Sequence, residues 1–470
     1  MKTIEIKEAA RLVAEGDKLS SAERLKLQQQ RLHELVTYAR EHSPWLAKHY
    51  ANLPENFTLT DLPIVYKKDM LENYDDYVTD RNIHIHDVLK YVDRPTDDTS
   101  LFLGQYTALK TSGSTGNPLP MVRDDYHNKI HGQMMAQRLM GGIPPELLSL
   151  KHNHIATVIH LANGASSYSA FLRTKNAVPE AAHNLMGLSC LDSVNHLVEQ
   201  LNQFQPTTIT GYPSMLVPLA VEQMKGNLRL HVKLIVTSAE MLTEKDYNVL
   251  REAFHCPVLN NYCMTEGGEI AMTRGSSRLH INEDWVIVEP VDKDMNPLGE
   301  SDQWSAGLLI TDLTNFVQPI IRYYVSDVVR ITPLTPPEGG KTVDHCNLPC
   351  LEINGRMLDN YTICGKTFGV VGLVTESEVW PHLVKYQFVQ TAHDTIQLRG
   401  LCSADSTPEE VLDRLSKHLK QFLAQHGCPE AKVEWSLEPF IPNKRGGKIP
   451  VYVKSGSHIS PSSRGRCFGV

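Results

Sequence analysis

The chain reads as an α/β protein in two parts, a large multi-sheet domain followed by a small α+β domain, and three observations predict it. Short β-rich runs alternate with amphipathic helical runs between about residues 155 and 254, the order expected where helices cover a sheet. From about Val286 the character changes to strands joined by turns. A Pro- and Gly-rich stretch from Pro333 to Pro349 then runs up to Gly355-Arg356 and marks a domain junction. We therefore expect a large domain over 1–354 and a small one over 355–470.

The elements follow in order. Ser20-Ser21-Ala22-Glu23 is a capping box, and Leu25, Leu32, Leu35, Val36 and Ala39 follow it at near-helical spacing as far as Ser43-Pro44. Leu62 to Asp69 is a short extended piece before another helix, and Asp124-Asp125-Tyr126 can begin one. Ile155 to Leu161 is a buried strand that leads into a loop of small residues, Asn163 to Ser169. A helix face made by Leu191, Val194, Leu197, Val198, Leu201 and Phe204 stops at Pro206, before a strand at Thr207–Thr210 and a turn at Gly211-Tyr212-Pro213. Lys233 to Thr237 is the next strand, and Thr243 caps a helix carrying Val249, Leu250, Ala253 and Phe254.

Val286–Val291 and Leu308–Thr311 are strands. Between them Asp292, Asp294 and Asn296 imitate the opening of a calcium loop, but Pro297 stands where glycine is needed and Gln303 where glutamate is needed, so the segment is a hairpin turn. Beyond the junction, Thr395 to Arg399 alternates as a strand. Thr407-Pro408-Glu409-Glu410 opens a helix whose inner face is Val411, Leu412, Leu415, Leu419, Phe422 and Leu423, and Gly427 closes it.

Composition narrows the function. With 470 residues and 41% apolar content the chain can bury a large core, and its formal charge of -8 offers no basic face for nucleic acid or anionic membrane. No apolar run approaches the roughly 20 residues that cross a bilayer, and the N-terminus lacks the apolar core of a signal peptide. Nine cysteines, scattered from Cys190 onward, suit reduced thiols in the cytoplasm.

The stretch Thr111-Ser112-Gly113-Ser114-Thr115-Gly116-Asn117-Pro118 can fold tightly and turn several N–H groups and hydroxyls toward one anion. It has neither the spacing nor the lysine of a Walker-type loop. By itself it is either a phosphate-holding loop or a polar linker.

Taken together, TSGSTGNP at 111–118, GYPSML at 211–216, SAE at 238–240, YCMTE at 262–266, IRYYVSD at 321–327, GRMLD at 355–359 and PNKRGGK at 442–448 resemble, in order, the motifs of the adenylate-forming acyl ligases. Within that superfamily the chain is most similar to the phenylacetate–CoA ligase, coenzyme F390 synthetase and capsule-biosynthesis group, over about residues 25 to 455. The resemblance implies an adenylate-forming large domain and a mobile C-terminal lid with a hinge near 356–359. It implies a two-step reaction as well: a carboxylic acid attacks the α-phosphate of ATP and releases pyrophosphate, and the acyl-adenylate then reacts with an acceptor.

By the same resemblance Thr111, Ser112, Gly113, Ser114, Thr115 and Gly116 would hold the β- and γ-phosphates. Thr265 would contact the α-phosphate and Glu266 would hold Mg2+, a hard cation that prefers oxygen. Tyr262 would lie on the adenine with Ala239 and Glu240 opposite, Asp327 would take the ribose hydroxyls assisted by Arg356, and Lys448 would bridge the acid and the α-phosphate. His160, Gly211, Tyr212, Met215 and Ser238 would line the acid's pocket.

Tyr212, Met215 and Tyr168, with no lysine or arginine in their stretches, suit an aromatic or medium-length apolar acid. Coenzyme A is the expected acceptor, with a carrier-protein thiol or an amine as alternatives, and a non-catalytic adenylate-binding protein is the other class; under either, a homodimer is left open. The chain departs from the family pattern at Asn117 and Leu119, where lysine is common, at Cys263 in place of glycine, and at Leu358, where the hinge usually carries Asp or Lys. The clusters His345/Cys346/Cys350 and His84/His86 lack a second pair at ligand spacing, so no structural zinc is expected from them. Arg274 stands where the family sometimes has a further cysteine.

Overall fold

The computed structural model describes all residues except 1, 95–98, 112–117, 276, 333–347, 357–359, 370–382, 403–405, 426, 443–448, 451 and 455–470, and leaves the side chains of 355–356, 360–362 and 366–369 undescribed. It opens with helices α1 (Ile6–Gly16), α2 (Ser21–His42) and α3 (Pro44–His49). The capping box forms at the head of α2: the Glu23 amide donates to the Ser20 hydroxyl and the Ser20 amide to the Glu23 carboxylate. Leu32, Leu35, Val36 and Ala39 face the core as their spacing predicts, but Leu25 is exposed. Arg24 points inward in its place, its guanidinium 2.6 Å from Glu283, so the apolar stripe begins two turns late.

Residues 62–66 are extended because Val65 joins a strand edge, its amide donating to the Arg322 carbonyl and its carbonyl accepting from the Tyr324 amide. Helices α4 (Lys67–Glu72), α5 (Tyr74–Tyr77) and α6 (Ile85–Val92) follow. Strands β1 (Thr107–Lys110) and β2 (Pro120–Arg123) pair antiparallel and flank the Gly/Ser/Thr stretch. Asp124 caps α7 (Asp125–Met134), which runs into a π-helical turn, Met135–Leu139, before the short α8 (Pro145–Leu148).

Alternation then dominates: β3 (Ile155–Ile159), α9 (Ser166–Ala177), β4 (Leu185–Ser189), α10 (Val194–Phe204), β5 (Thr208–Gly211), α11 (Pro213–Met224), β6 (Leu234–Ser238), α12 (Glu244–Phe254), β7 (Val258–Met264), β8 (Gly268–Thr273) and β9 (Leu279–Ile281). The loop expected to reach Ser169 ends sooner, since α9 already begins at Ser166. Next come β10 (Val286–Val291), β11 (Gly307–Asp312) and β12 (Ile320–Val325), an antiparallel sheet, then β13 (Asp327–Thr332) and β14 (Cys350–Arg356). The calcium-like segment is a turn closed on itself: Asp292 Oδ1 accepts the amides of Asp294 and Asn296.

Among the described residues the largest sheet has the order β13-β14-β9-β8-β7-β6-β5-β3-β4. Its β4, β3, β5, β6 and β7 are parallel, and pairing turns antiparallel from β8 onward.

The chain divides into two compact units, a larger one made mainly of residues 1–357 and a smaller one made mainly of residues 358–470. The smaller contains the hairpin β15 (Asn360–Ile363) and β16 (Lys366–Gly369), and a sheet of β17 (Leu383–Ala392), β18 (Thr395–Cys402), β19 (Lys432–Ser436) and β20 (Tyr452–Lys454). Helix α13 (Pro408–Gln425) buries Val411, Leu412, Leu415, Leu419 and Leu423 in that unit's core, with Phe422 packed at its margin.

Candidate active site

Strands β3, β5, β6 and β7 are parallel neighbours, so their carboxyl ends share one edge of the sheet, where open α/β sheets bind ligands. That edge collects His160 after β3, Gly211 and Tyr212 after β5, Ser238, Ala239 and Glu240 at the end of β6, and Tyr262 to Glu266 at the end of β7. Tyr212, 3% exposed, holds its hydroxyl 3.0 Å from Ser167 Oγ and within 3.4 Å of the His160 amide. Glu240 accepts from the Ser214 amide at 2.9 Å and from its hydroxyl at 3.0 Å, fixing the start of α11. Met215 is buried beneath this turn. A Cβ on Gly211 would lie 2.5 Å from the Val158 carbonyl oxygen, which explains glycine there. Ala239 has φ +66, a left-handed conformation costly for a residue with a side chain and frequent at ligand sites.

At the end of β7 the Tyr262 hydroxyl donates to Asp327 Oδ2 at 2.6 Å. Asp327 heads β13 and is the backbone partner of Arg356 in β14. The register between β7 and β8 shifts at Tyr262/Cys263, and the turn that follows is pinned from β2: Arg123 donates to the Thr265 carbonyl at 2.7 Å. Glu266 leaves this turn with the Tyr323 hydroxyl 3.4 Å from Oε1. Burial, and then the Glu266 carboxylate, raise Tyr323 far above the usual phenol range, so it stays a donor. Lys67, the first residue of α4, is half-buried; burial lowers its pKa while the charge of Glu266 opposes the fall. Glu266 is an oxygen donor of the type a hard cation takes, and with one carboxylate it suits Mg2+, which keeps waters and phosphate oxygens for its other positions.

At the Gly/Ser/Thr loop, Thr111 is described and closes the base: its amide donates to the Leu119 carbonyl and its hydroxyl accepts from the Leu119 amide at 3.0 Å. Ser112, Gly113, Ser114, Thr115 and Gly116 lie outside the described residues, as do Leu358 and Lys448, and of Arg356 the backbone alone is described.

Beside Asn163 and Gly164 lies an open cleft whose walls include Tyr91, Arg94, Tyr168 and Arg173. The stretches nominated for the acid lack cationic residues, but Arg94 and Arg173 enter this cleft from outside them. His160 is held below its ordinary pKa by burial and by Lys110. Of the zinc candidates, Cys350 is buried with Sγ 3.7 Å from His280 Nδ1, His345 and Cys346 lie outside the described residues, and His84 Nδ1 pairs with Asp75 at 2.9 Å.

Three residues escaped the sequence reading: Lys67, Arg123 and Tyr323. The signal for Lys67 was the extended Leu62–Tyr66 ahead of it, which is a strand-edge partner. Tyr323 lies within the quoted motif at 321–327 but was given no role there, and nothing local distinguishes Arg123; the contacts of both arise from pairing across the fold.

No family profile matches the sequence. Protein CapK of Staphylococcus aureus is 22% identical over 419 residues, 84% of this chain and 82% of CapK. Two structures of 2-hydroxyisobutyryl-CoA ligase in the postadenylation state, one with 2-HIB-AMP and one with R3-HIB-AMP, share the fold at TM-scores of 0.62 and 0.61. They are 19% and 18% identical, and each alignment covers 95% of this chain and 89% of the ligase. Among the described residues no helix is long and apolar enough to cross a membrane.

Proposed function

We propose, from the premise that this chain carries the fold of the AMP-forming acyl ligases, that it activates a carboxylic acid with ATP and passes the acyl group to coenzyme A. The observation that carries the proposal is the Tyr262–Asp327 hydrogen bond, made beside the turn that presents Thr265 and Glu266 on the sheet's carboxyl edge. It is supported by the 2-hydroxyisobutyryl-CoA ligase structures, which hold acyl-adenylates and, in two cases, coenzyme A as well.

In this reading Tyr262, Ala239 and Glu240 receive the adenine, and Asp327 with Arg356 receives the ribose. The loop Thr111 to Gly116 wraps the β- and γ-phosphates. It lacks a lysine, and Lys67 supplies a positive charge from α4 beside Glu266. Mg2+, held by Glu266 when bound, offsets phosphate charge. A carboxylate oxygen of the acid attacks the α-phosphorus, the bond to pyrophosphate breaks, and Thr265 and Lys448 stabilise the charge that develops. The coenzyme A sulfur then attacks the acyl carbon and AMP leaves. The unit beginning at Leu358 is the lid, with its hinge near 356–359.

The acid is aromatic or medium-length and apolar, bordered by His160, Gly211, Tyr212, Met215 and Ser238. ATP–pyrophosphate exchange across aromatic, medium-chain and dicarboxylic acids tests this. Stimulation by an apolar acid is expected; stimulation by dicarboxylic acids alone would move recognition to Arg94 and Arg173 and overturn the apolar assignment.

A further inference from the structure

Behind the Thr265–Glu266 turn, outside the residues given a role above, α7 carries His127 and His131. At i and i+4 they stand on one helix face, and their rings stack with centroids 4.1 Å apart. Asp312, the last residue of β11, meets both: Oδ2 lies 3.0 Å from His127 Nδ1 and Oδ1 lies 3.6 Å from His131 Nε2. Thr314, two residues on, brings Oγ1 to 2.8 Å from His127 Nδ1, 3.0 Å from His131 Nε2 and 2.5 Å from Asp312 Oδ1. All four residues are buried, none more than 4% exposed.

We propose that His127, His131 and Asp312, completed by the Thr314 hydroxyl, form a buried binding site for one divalent transition-metal cation of the zinc type. One ligand atom from each of the first three lies within 4.8 Å of the others. Atoms about 2.0–2.2 Å from zinc at tetrahedral corners stand about 3.3–3.6 Å apart; His131 Nε2 and Asp312 Oδ1, at 3.6 Å, already have this spacing, while the His127–Asp312 contact at 3.0 Å and the Thr314 contacts at 2.5–3.0 Å are hydrogen-bond distances that must open for the ion to enter. Two imidazoles with oxygen donors are a borderline set that suits zinc better than magnesium or calcium.

Two further observations support it. Asp312 Oδ2 is buried without a hydrogen-bond partner of acceptable geometry although His127 Nδ1 is 3.0 Å away. His131 Nδ1 lies 2.7 Å from Glu269 Oε2 and 3.0 Å from the Glu269 amide, and a carboxylate in this position would orient a metal-bound imidazole. Packing preserves the arrangement: Gly268 has φ +65, and a Cβ there would lie 2.3 Å from His131 Cε1. With no exposed ligand the cation is structural, tying α7 to the end of β11, with Glu269 of β8 held against His131. The inference does not rest on the proposed ligase activity.

The test measures metal in the full-length chain, purified without added metal and then dialysed with zinc. About one zinc per chain is expected, retained when the exposed pair is removed by His84→Ala with His86→Ala, and lost in His127→Gln and in Asp312→Asn. Stripping with a chelator should lower the melting midpoint by several degrees, and zinc should restore it. No metal above background in the native chain, or undiminished metal in both site variants, overturns the site. If the variants do not fold, cobalt(II) bound to the native chain decides: the visible bands of four-coordinate cobalt support the site, and a six-coordinate spectrum or no bound cobalt overturns it.

Discussion

The Tyr262 hydroxyl donates to Asp327 Oδ2 at 2.6 Å, joining the end of β7 to the first residue of β13, 65 positions later in the chain. A charge-assisted hydrogen bond of this kind contributes about 1.5–3 kcal/mol. Tyr262→Phe should therefore raise the ATP concentration needed for half-maximal pyrophosphate exchange by about 10-fold or more. Asp327→Asn, which also weakens the proposed ribose contact, should cost more. An unchanged ATP dependence in both variants would remove this pair from the nucleotide site.

Lys67 gives a sharper kinetic expectation. In the proposed reading it supplies a positive charge that the loop at 111–118 lacks; burial lowers its pKa and the charge of Glu266 opposes that fall. Lys67→Met should lower the adenylation rate by about 100-fold, the scale seen on removal of one electrostatic stabiliser, with little change in melting midpoint. A full rate in the variant would show that the phosphate charge is offset elsewhere.

The support of α1, the π-helical turn and the β9–β10 connection is testable by stability. Arg138 forms a two-pronged pair with Asp284, at 2.8 and 2.7 Å, with both side chains fully buried, and its Nε is 3.0 Å from Asp17. Asp284→Ala leaves the buried guanidinium with Asp17 and the neutral Asn282 side chain but without its bidentate carboxylate, and should destabilise the chain by about 3–5 kcal/mol in urea unfolding. Replacing both partners by apolar residues should recover part of that loss.

Thiol chemistry follows from burial. Cys190 is pushed up to about 12 and Cys256 to about 11 by loss of hydration around the thiolate. Only the thiolate reacts with alkylating agents, so at pH 8 neither should be modified in the native chain, and both should be modified in denaturant. Peptide mass spectrometry reads this directly; rapid native labelling of either would show that it is reachable and ionised.

The α/β alternation was legible because helices and strands write different periods into the sequence, and the hydroxyl caps at Ser20 and Thr243 fixed two helix starts. Leu25 was misassigned because periodicity cannot tell an apolar residue at the stripe's margin from Arg24, which goes inward to reach Glu283. In the candidate site, Tyr262 and Asp327 could be nominated from ordered motifs, but their contact could not, since it depends on how β7 and β13 are brought together. Lys67, Arg123 and Tyr323 were missed for the same reason. The spacing of His127 and His131 was visible in the sequence, yet its meaning depends on Asp312, 181 residues beyond His131 and brought to the pair only by tertiary packing.

The central claim is the chemistry, and product mass spectrometry tests it most directly. The purified chain is incubated with ATP, Mg2+, mixed carboxylic acids and coenzyme A, alongside Lys448→Ala. The account predicts AMP, pyrophosphate and an acyl-CoA thioester in the native reaction, and a fall of orders of magnitude in acyl-adenylate formation in the variant. ATP left intact with every acid, or equal adenylate from both proteins, would contradict it.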